Sequence, residues 1–180
     1  MKNLSTRPLS EEDIPFIVNY WFQKSDAELI QVGADKTKFS TADNMHQSLK
    51  EISETPLAQA KTFYMTWLVD NKPIGYSALK DIAQSEIACI HLHMWSTEHQ
   101  GKGYGGKLFC QSAVQFYDLF KPKLILCEPK ATNPMPNKML TKVGFKKWRT
   151  YFSASSEIAL PSDLNSYLID LKTATDFLNR

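Results

Sequence analysis

Closely spaced glycines lie in the segment 100–106, which reads Gln-Gly-Lys-Gly-Tyr-Gly-Gly. The segment follows a strand-like apolar stretch and precedes an apparent helix, Lys107–Leu119. A helix N-terminus exposes unpaired N–H groups and the positive end of the helix dipole. Glycines let the backbone approach a phosphate closely and adopt positive φ angles. The pattern therefore predicts a pyrophosphate held by the amides of residues 101–106, with Lys102 nearby as a cation.

Three other interpretations of this glycine run are open. A Rossmann dinucleotide site has G-x-G-x-x-G near the start of a βαβ unit. Gly101, Gly103 and Gly106 complete that spacing, but they follow the fourth predicted strand, which has three strands before it. A Walker A loop needs Ser or Thr after its lysine, whereas Leu108 follows Lys107. The remaining interpretation is a tight turn that binds no ligand.

His91 and His93 are candidate general bases in a predicted strand, Ile87–Trp95. Because side chains alternate along a strand, both imidazoles point to one face. The ordinary histidine pKa of about 6.5 suits proton transfer at neutral pH. Glu86, at the start of the strand and on the opposite face, is a third candidate. The competing interpretation makes one histidine a satisfied polar residue, the other solvent-facing, and Glu86 a solvated charge.

The elements that must position these residues follow the order of an α/β domain. We predict one domain over 1–180. Strands are predicted at 3–8, 63–69, 74–79, 87–95, 124–127, 145–152 and 166–171, and helices at 11–23, 41–52, 107–119 and 137–143. The stretch 27–39 is predicted to be irregular. Residues 124–127 are wholly apolar, as in buried parallel strands.

Composition narrows the function classes. The 180 residues are 43% hydrophobic and 22% charged, an ordinary globular balance. A formal net charge of +2 does not favour nucleic acid as a partner. The three cysteines lack metal-ligand spacing, so no metal is predicted. The N-terminus lacks a signal-peptide pattern and no apolar run is long enough to span a membrane, so the expected location is cytoplasmic.

Two motifs together resemble those of the GNAT superfamily of N-acetyltransferases. The segment 100–105 matches the superfamily signature [QR]-x-x-G-x-[GA]. Asn133, followed eleven and twelve residues later by Gly144 and Phe145, fits the spacing of its second motif. The resemblance covers residues 60–152 well and the N-terminal helices more loosely.

The resemblance implies a GNAT-type α/β (α+β) fold. In this fold a mixed, mostly antiparallel central sheet is flanked by helices, and its parallel fourth and fifth strands splay apart. Acetyl-CoA is the implied co-substrate, with its pantetheine between these strands. A backbone N–H near Met94 or Trp95 is expected to hold the acetyl carbonyl, and Asn133 or Asn137 to bond the pantetheine arm. The implied pyrophosphate loop comprises Gln100, Gly101, Lys102, Gly103, Tyr104, Gly105 and Gly106.

One position departs from the superfamily pattern. The tyrosine that often serves as general acid falls at Leu140 in this chain. Tyr117, His91 and His93 are candidate replacements. The aromatic run 20–22 is a further candidate, as a wall of the acceptor site or as part of the core.

The function predicted from the resemblance is transfer of an acetyl group from acetyl-CoA to a primary amine of a small molecule, by direct attack in a ternary complex. Two alternatives stay open, a protein N-acetyltransferase and an acyl-CoA-binding sensor without turnover. The expected partners are a small amine acceptor and a second copy of the chain in a homodimer, without nucleic acid or membrane.

Overall fold

A computed structural model describes residues 2–82, 86–95 and 97–180. The strands are β1 (Leu4–Pro8), β2 (Thr62–Val69), β3 (Lys72–Lys80), β4 (Ile87–Met94), β5 (Leu124–Cys127), β6 (Lys146–Ser153) and β7 (Ser162–Ile169). The helices are α1 (Ile14–Phe22), α2 (Asp26–Val32), α3 (Ala42–Glu54), α4 (Tyr104–Phe120), α5 (Pro134–Val143) and α6 (Leu171–Leu178). In these ranges no helix is both long and apolar enough to cross a membrane.

All seven strands form one sheet in the order β1-β2-β3-β4-β5-β7-β6. The β4–β5 pair is parallel, and every other neighbouring pair is antiparallel. The predicted mixed, mostly antiparallel sheet with parallel fourth and fifth strands is therefore confirmed.

The two parallel strands stay together over only part of their length. Residues 87–89 of β4 pair with residues 124–126 of β5, and the β4 register with β5 ends at Cys89. The remaining residues of β4 keep their register with β3 alone. A gap therefore opens beside the C-terminal half of β4.

Helices cover both faces of the sheet. On one face α4, α5 and α6 pack on a core that includes Trp67, Leu79 and Ile90. On the other face α1, α2 and α3 pack on a second core that includes Tyr76 and Ala78. Because neighbouring residues of a strand point to opposite faces, β3 contributes to both cores.

Two helices were not predicted from the sequence. Helix α2 lies inside the stretch expected to be irregular; it has a capping box from Ser25 and Glu28 and ends at Gly33, whose φ is +86°. It has seven residues and only Leu29 is buried, so its hydrophobic periodicity is weak. Helix α6 follows the last strand directly and packs on α4.

Candidate active site

The fourth strand carries backbone groups directed into the gap. Gly75 lies opposite Met94 in the β3–β4 ladder, and the N–H of Trp95 donates to the carbonyl of Ile74 at 3.1 Å. In an antiparallel ladder, neighbouring residues direct their N–H and C=O groups to opposite sides of the strand. The N–H and C=O groups of Leu92 and Met94 therefore point away from β3, into the space left where β5 diverges.

The structure distinguishes the two residues expected to offer an N–H to an acetyl carbonyl. The N–H of Trp95 is already bonded to β3. Its indole N–H donates to the carbonyl of Pro73 at 3.2 Å, and its ring stacks on Phe16 with centroids 5.8 Å apart. Trp95 thus braces α1 against the sheet, and Met94 is the remaining candidate donor.

The glycine turn forms an open surface in front of α4. Gly101 and Gly103 have φ angles of +74° and +80°, which side chains rarely adopt, and Gly103 directly precedes the helix. A Cβ at either position would meet no atom within 4 Å, so both leave room for a ligand. Gly106 differs, because a Cβ there would lie 3.4 Å from Phe177 and Val143. Helix packing therefore accounts for Gly106.

A cleft of about 520 Å³ extends from the glycine turn along the open side of β4 to α1 and α2. Lys138 and Lys142 line it on α5, and Glu28 is the only carboxylate among its described lining residues. From the predicted loop it is lined by Gln100, Gly101, Gly103, Tyr104, Gly105 and Gly106. Lys102 is exposed and lies outside this lining. The cleft offers amides and cations at one end and largely apolar walls along the strand, which suits a phosphate-bearing ligand.

The two candidate asparagines differ in what their side chains do. Asn133 lines the cleft and caps α5, its Oδ1 accepting from the N–H of Met135 at 3.3 Å.

Asn137 lies outside the lining, and its amide is fully bonded within the protein. Its Nδ2 donates to the carbonyls of Lys130 and Asn133 at 3.0 and 2.7 Å. Its Oδ1 accepts from Asn165 Nδ2 at 2.8 Å and from the Tyr167 hydroxyl at 3.1 Å. The structure thus points to a structural role for Asn137, which ties the β5–α5 loop to β7.

We expect Asn137→Leu to lower the free energy of unfolding by about 2–4 kcal/mol, because several hydrogen-bonding groups lose their partner together. Urea denaturation of this variant and of Thr141→Ala, an exposed position on the same helix, checks the expectation. An Asn137→Leu variant that is as stable as Thr141→Ala but binds acetyl-CoA weakly would restore the predicted pantetheine role.

His93 lies between the cleft and a second, smaller cavity, inside a group of aromatic rings. The Tyr20 hydroxyl shares a 3.1 Å hydrogen bond with Nδ1 of His93, and both residues line the cleft. The rings of Trp21 and Tyr76 lie 4.7 and 5.2 Å from the imidazole, centroid to centroid. Burial lowers the pKa of His93 to about 3 and raises the pKa of Tyr20 well above its ordinary value. Both groups are therefore neutral at physiological pH.

His91 faces the second cavity, which is about 180 Å³. Burial, with a smaller effect of the nearby Lys80 charge, lowers its pKa to about 3. The prediction that both histidines act as simple bases assumed a pKa near 6.5, and in the folded protein neither histidine has that pKa. The shared face of His91 and His93, in contrast, agrees with the alternation argument.

These low histidine pKa values make stability depend on pH. As the pH falls from about 6.5 toward 3, His91 and His93 become protonated in the unfolded chain but stay neutral in the folded protein. The free energy of unfolding therefore falls over this range. We expect His91→Leu to remove about 1.4 kcal/mol per pH unit from this slope. Urea denaturation between pH 4 and pH 8 measures it, with His46→Leu as the control. Equal slopes for wild type and His91→Leu would contradict the burial of a neutral His91.

The remaining candidates are placed away from this site. Glu86 precedes β4 at its closed end, is exposed, and pairs with Lys123, so the structure does not bring it to the histidines. Leu140 is fully buried in the core, as its apolar side chain requires. Tyr117 donates its hydroxyl to the carbonyl of Ile169 at 2.7 Å on the far part of α4. Tyr20 is the tyrosine that lines the cleft in contact with His93, and it comes from an aromatic run that sequence alone could not separate from the core.

A known protein family matches most of the chain. The family model described as "Acetyltransferase (GNAT) domain" matches residues 3–146. No curated protein sequence matches the chain.

Solved structures share the fold at low sequence identity. Spermidine N-acetyltransferase from Vibrio cholerae, in complex with CoA and spermine, has a TM-score of 0.75 at 16% identity, covering 96% of this chain and 98% of that one. RimL, a ribosomal L7/L12 alpha-N-protein acetyltransferase in complex with coenzyme A, has a TM-score of 0.74 at 12% identity, covering 94% and 95%. The ribosomal-protein-S5-alanine acetyltransferase from Vibrio fischeri has a TM-score of 0.73 at 18% identity, covering 94% and 93%.

Proposed function

From the premise that this chain belongs to the GNAT acetyltransferase family, we propose that it transfers the acetyl group of acetyl-CoA to a primary amine of a small molecule, as a single domain over residues 1–180. The observation that carries the proposal is the position of the Met94 N–H. It faces a cleft that begins at the N-terminus of α4 and ends at His93 and Tyr20.

The residues of the cleft fit acetyl-CoA as the co-substrate. The amides around Gly101 and Gly103 and the start of α4 would hold the pyrophosphate. Lys138 and Lys142 would neutralise the 3′-phosphate of the CoA adenosine. The backbone of Leu92 and Met94 would pair with the pantetheine amides. When bound, acetyl-CoA supplies a thioester whose carbonyl carbon accepts the amine and whose sulfur leaves. The Met94 N–H is the donor placed to stabilise an oxyanion.

His93 and Tyr20 would move the proton that the amine must lose. A base with a pKa of about 3 cannot hold a full positive charge at neutral pH. The imidazole avoids that charge if it takes the amine proton at Nε2 while releasing another from Nδ1 to the Tyr20 oxygen. The Tyr20 hydroxyl in turn gives its own proton to the departing thiolate of CoA. Histidine and tyrosine are both neutral before and after such a relay, and the 3.1 Å contact joins them. This relay would take the place of the tyrosine that Leu140 replaces.

The size of the second cavity favours a small acceptor over a protein. It lies between α1, α3, the sheet and the segment 155–159, and about 180 Å³ accommodates a small molecule rather than a folded polypeptide segment. A protein N-acetyltransferase and a non-catalytic acyl-CoA sensor are the alternatives that the test must separate.

The test measures acetyl-CoA binding by calorimetry and CoA release by a thiol assay on one sample, with primary amines and with short peptides as acceptors. CoA release with a small amine supports the proposal. Release with peptides alone indicates the protein acetyltransferase. Binding without any release indicates the sensor, and failure to bind acetyl-CoA overturns the proposed function.

A further inference from the structure

We propose that the second cavity holds the body of the acceptor, and that the acceptor is an amino carboxylate whose amine lies at His93 and whose carboxylate lies at Lys80. The inference rests on the proposed acetyltransferase function and names the substrate class of that site.

The cavity adjoins the site of chemistry through one shared side chain. His93 lines both the cleft and the cavity. From His93 the cavity continues along one face of β3 and β4, past His91 and Ala78, to Lys80. An acceptor that fills the cavity therefore presents one end to the histidine that contacts Tyr20.

The cavity has apolar, aromatic walls, and a polar side chain in them is available to an acceptor. Trp21, Tyr64 and Tyr76 supply aromatic surface. The imidazole of His91 faces the cavity, and within residues 2–82, 86–95 and 97–180 its side chain makes no hydrogen bond. Buried polar groups in folded proteins are normally bonded to protein, water or ligand. His91 is thus placed to bond a polar group in the middle of the acceptor.

The charge of the cavity is positive. Lys80 is the only charged side chain among the described lining residues, since the neutral histidines carry none and no carboxylate is present. Within the described ranges Lys80 makes no ion pair. Its charge is felt through the cavity, because it contributes to the lowered pKa of both imidazoles. A second ammonium group would meet this cation without a counter-charge, so the cavity disfavours polyamines and favours an anionic end.

The strand register sets the separation of the two ends. Tyr76 lies opposite His93 and Lys80 opposite Cys89, four residues along the strand. At roughly 3.3 Å per residue, this distance is about 13 Å between backbone positions. The flexible Lys80 side chain shortens it, and the acceptor still needs a spacer between amine and carboxylate. The amino and carboxylate groups of an α-amino acid are too close together to span the distance between His93 and Lys80.

Steady-state kinetics with acceptors that differ only at the far end test the inference. One series is 6-aminohexanoate, hexylamine and 1,6-diaminohexane, and a second is 4-(aminomethyl)benzoate, benzylamine and p-xylylenediamine. We expect kcat/KM to be highest for the carboxylate and lowest for the diamine in each series. We expect Lys80→Met to lower kcat/KM for the carboxylate by about 10- to 100-fold, the loss of one charge-assisted contact. Lys80→Arg should retain the preference.

Lys72→Met is the matched control, because Lys72 is exposed at the other end of the same strand. It should leave all six rates unchanged, and thermal unfolding should show that every variant is folded. The inference is overturned if a diamine is the best acceptor, if Lys80→Met leaves the preference unchanged, or if none of the six is acetylated while acetyl-CoA binds. Failure to bind acetyl-CoA overturns the proposed function instead.

Discussion

Replacing Gly103 with glutamate is expected to abolish the binding of acetyl-CoA. Gly103 directly precedes α4, and the space around it is open. The new carboxylate would therefore lie beside the amides of the helix N-terminus, where the pyrophosphate is proposed to bind. Two negative groups would then compete for one positive helix end. We expect the Kd measured by calorimetry to rise at least about 100-fold, equivalent to about 2.7 kcal/mol.

Gly103→Gln separates charge from backbone strain. Glutamine has the same shape as glutamate, and both pay the cost of about 1–2 kcal/mol for a side chain at φ +80°. The glutamine variant should therefore match the glutamate variant in thermal stability yet bind acetyl-CoA more than tenfold better. If the two bind equally, or if glutamate binds like wild type, the pyrophosphate does not lie at this turn.

The second large effect is expected from His93→Ala, which should lower kcat by about 10²- to 10⁴-fold, the range for a lost proton-transfer group. The affinity for acetyl-CoA should be retained, because the phosphates lie at the other end of the cleft. Stopped assays with the best acceptor, together with calorimetry, measure the two quantities. His46→Ala, on α3 and outside both cavity linings, should keep full turnover.

Tyr20→Phe tests whether the hydroxyl and the imidazole act together. Residues that act as a unit show strongly non-additive losses, so the double variant Tyr20→Phe/His93→Ala should be no slower than His93→Ala alone. Because the folded His93 is neutral above about pH 3, the wild-type rate profile should lack a limb near pH 6.5. Full activity of His93→Ala across the pH range would place the proton acceptor elsewhere.

The proposed acceptor class differs from the acceptors named for the three solved structures described above. The spermidine enzyme and the two ribosomal-protein enzymes are similar to this chain at 12–18% identity, which reflects a common scaffold. The features that would select an acceptor here are side chains on one face of β3 and β4, above all Lys80 and His91. These side chains can change without altering the backbone gap that receives the co-substrate.

Local sequence was sufficient for the scaffold. The order of strands and helices was readable because turn, strand and helix patterns depend on near neighbours. The glycine run and the Asn133 to Gly144-Phe145 spacing carried the resemblance to the family, and that resemblance implied the mixed sheet. Strand alternation also placed His91 and His93 on a common face. Helix α2 was missed because a short helix with a single buried residue leaves almost no periodic signal.

Only the tertiary structure decides what each candidate side chain contacts. Asn137 is bonded to β7, Trp95 is bonded to β3, and Glu86 lies at the closed end of β4. Spacing along the chain reports none of these contacts. The pairing of Tyr20 with His93 joins residues 73 positions apart, and the lowered pKa of His93 follows from the helices packed over it. Sequence by itself determined the strands, most of the helices and the position of the glycine turn. Folding determined burial and long-range contacts, and these set the protonation and hydrogen bonding on which the proposed chemistry depends.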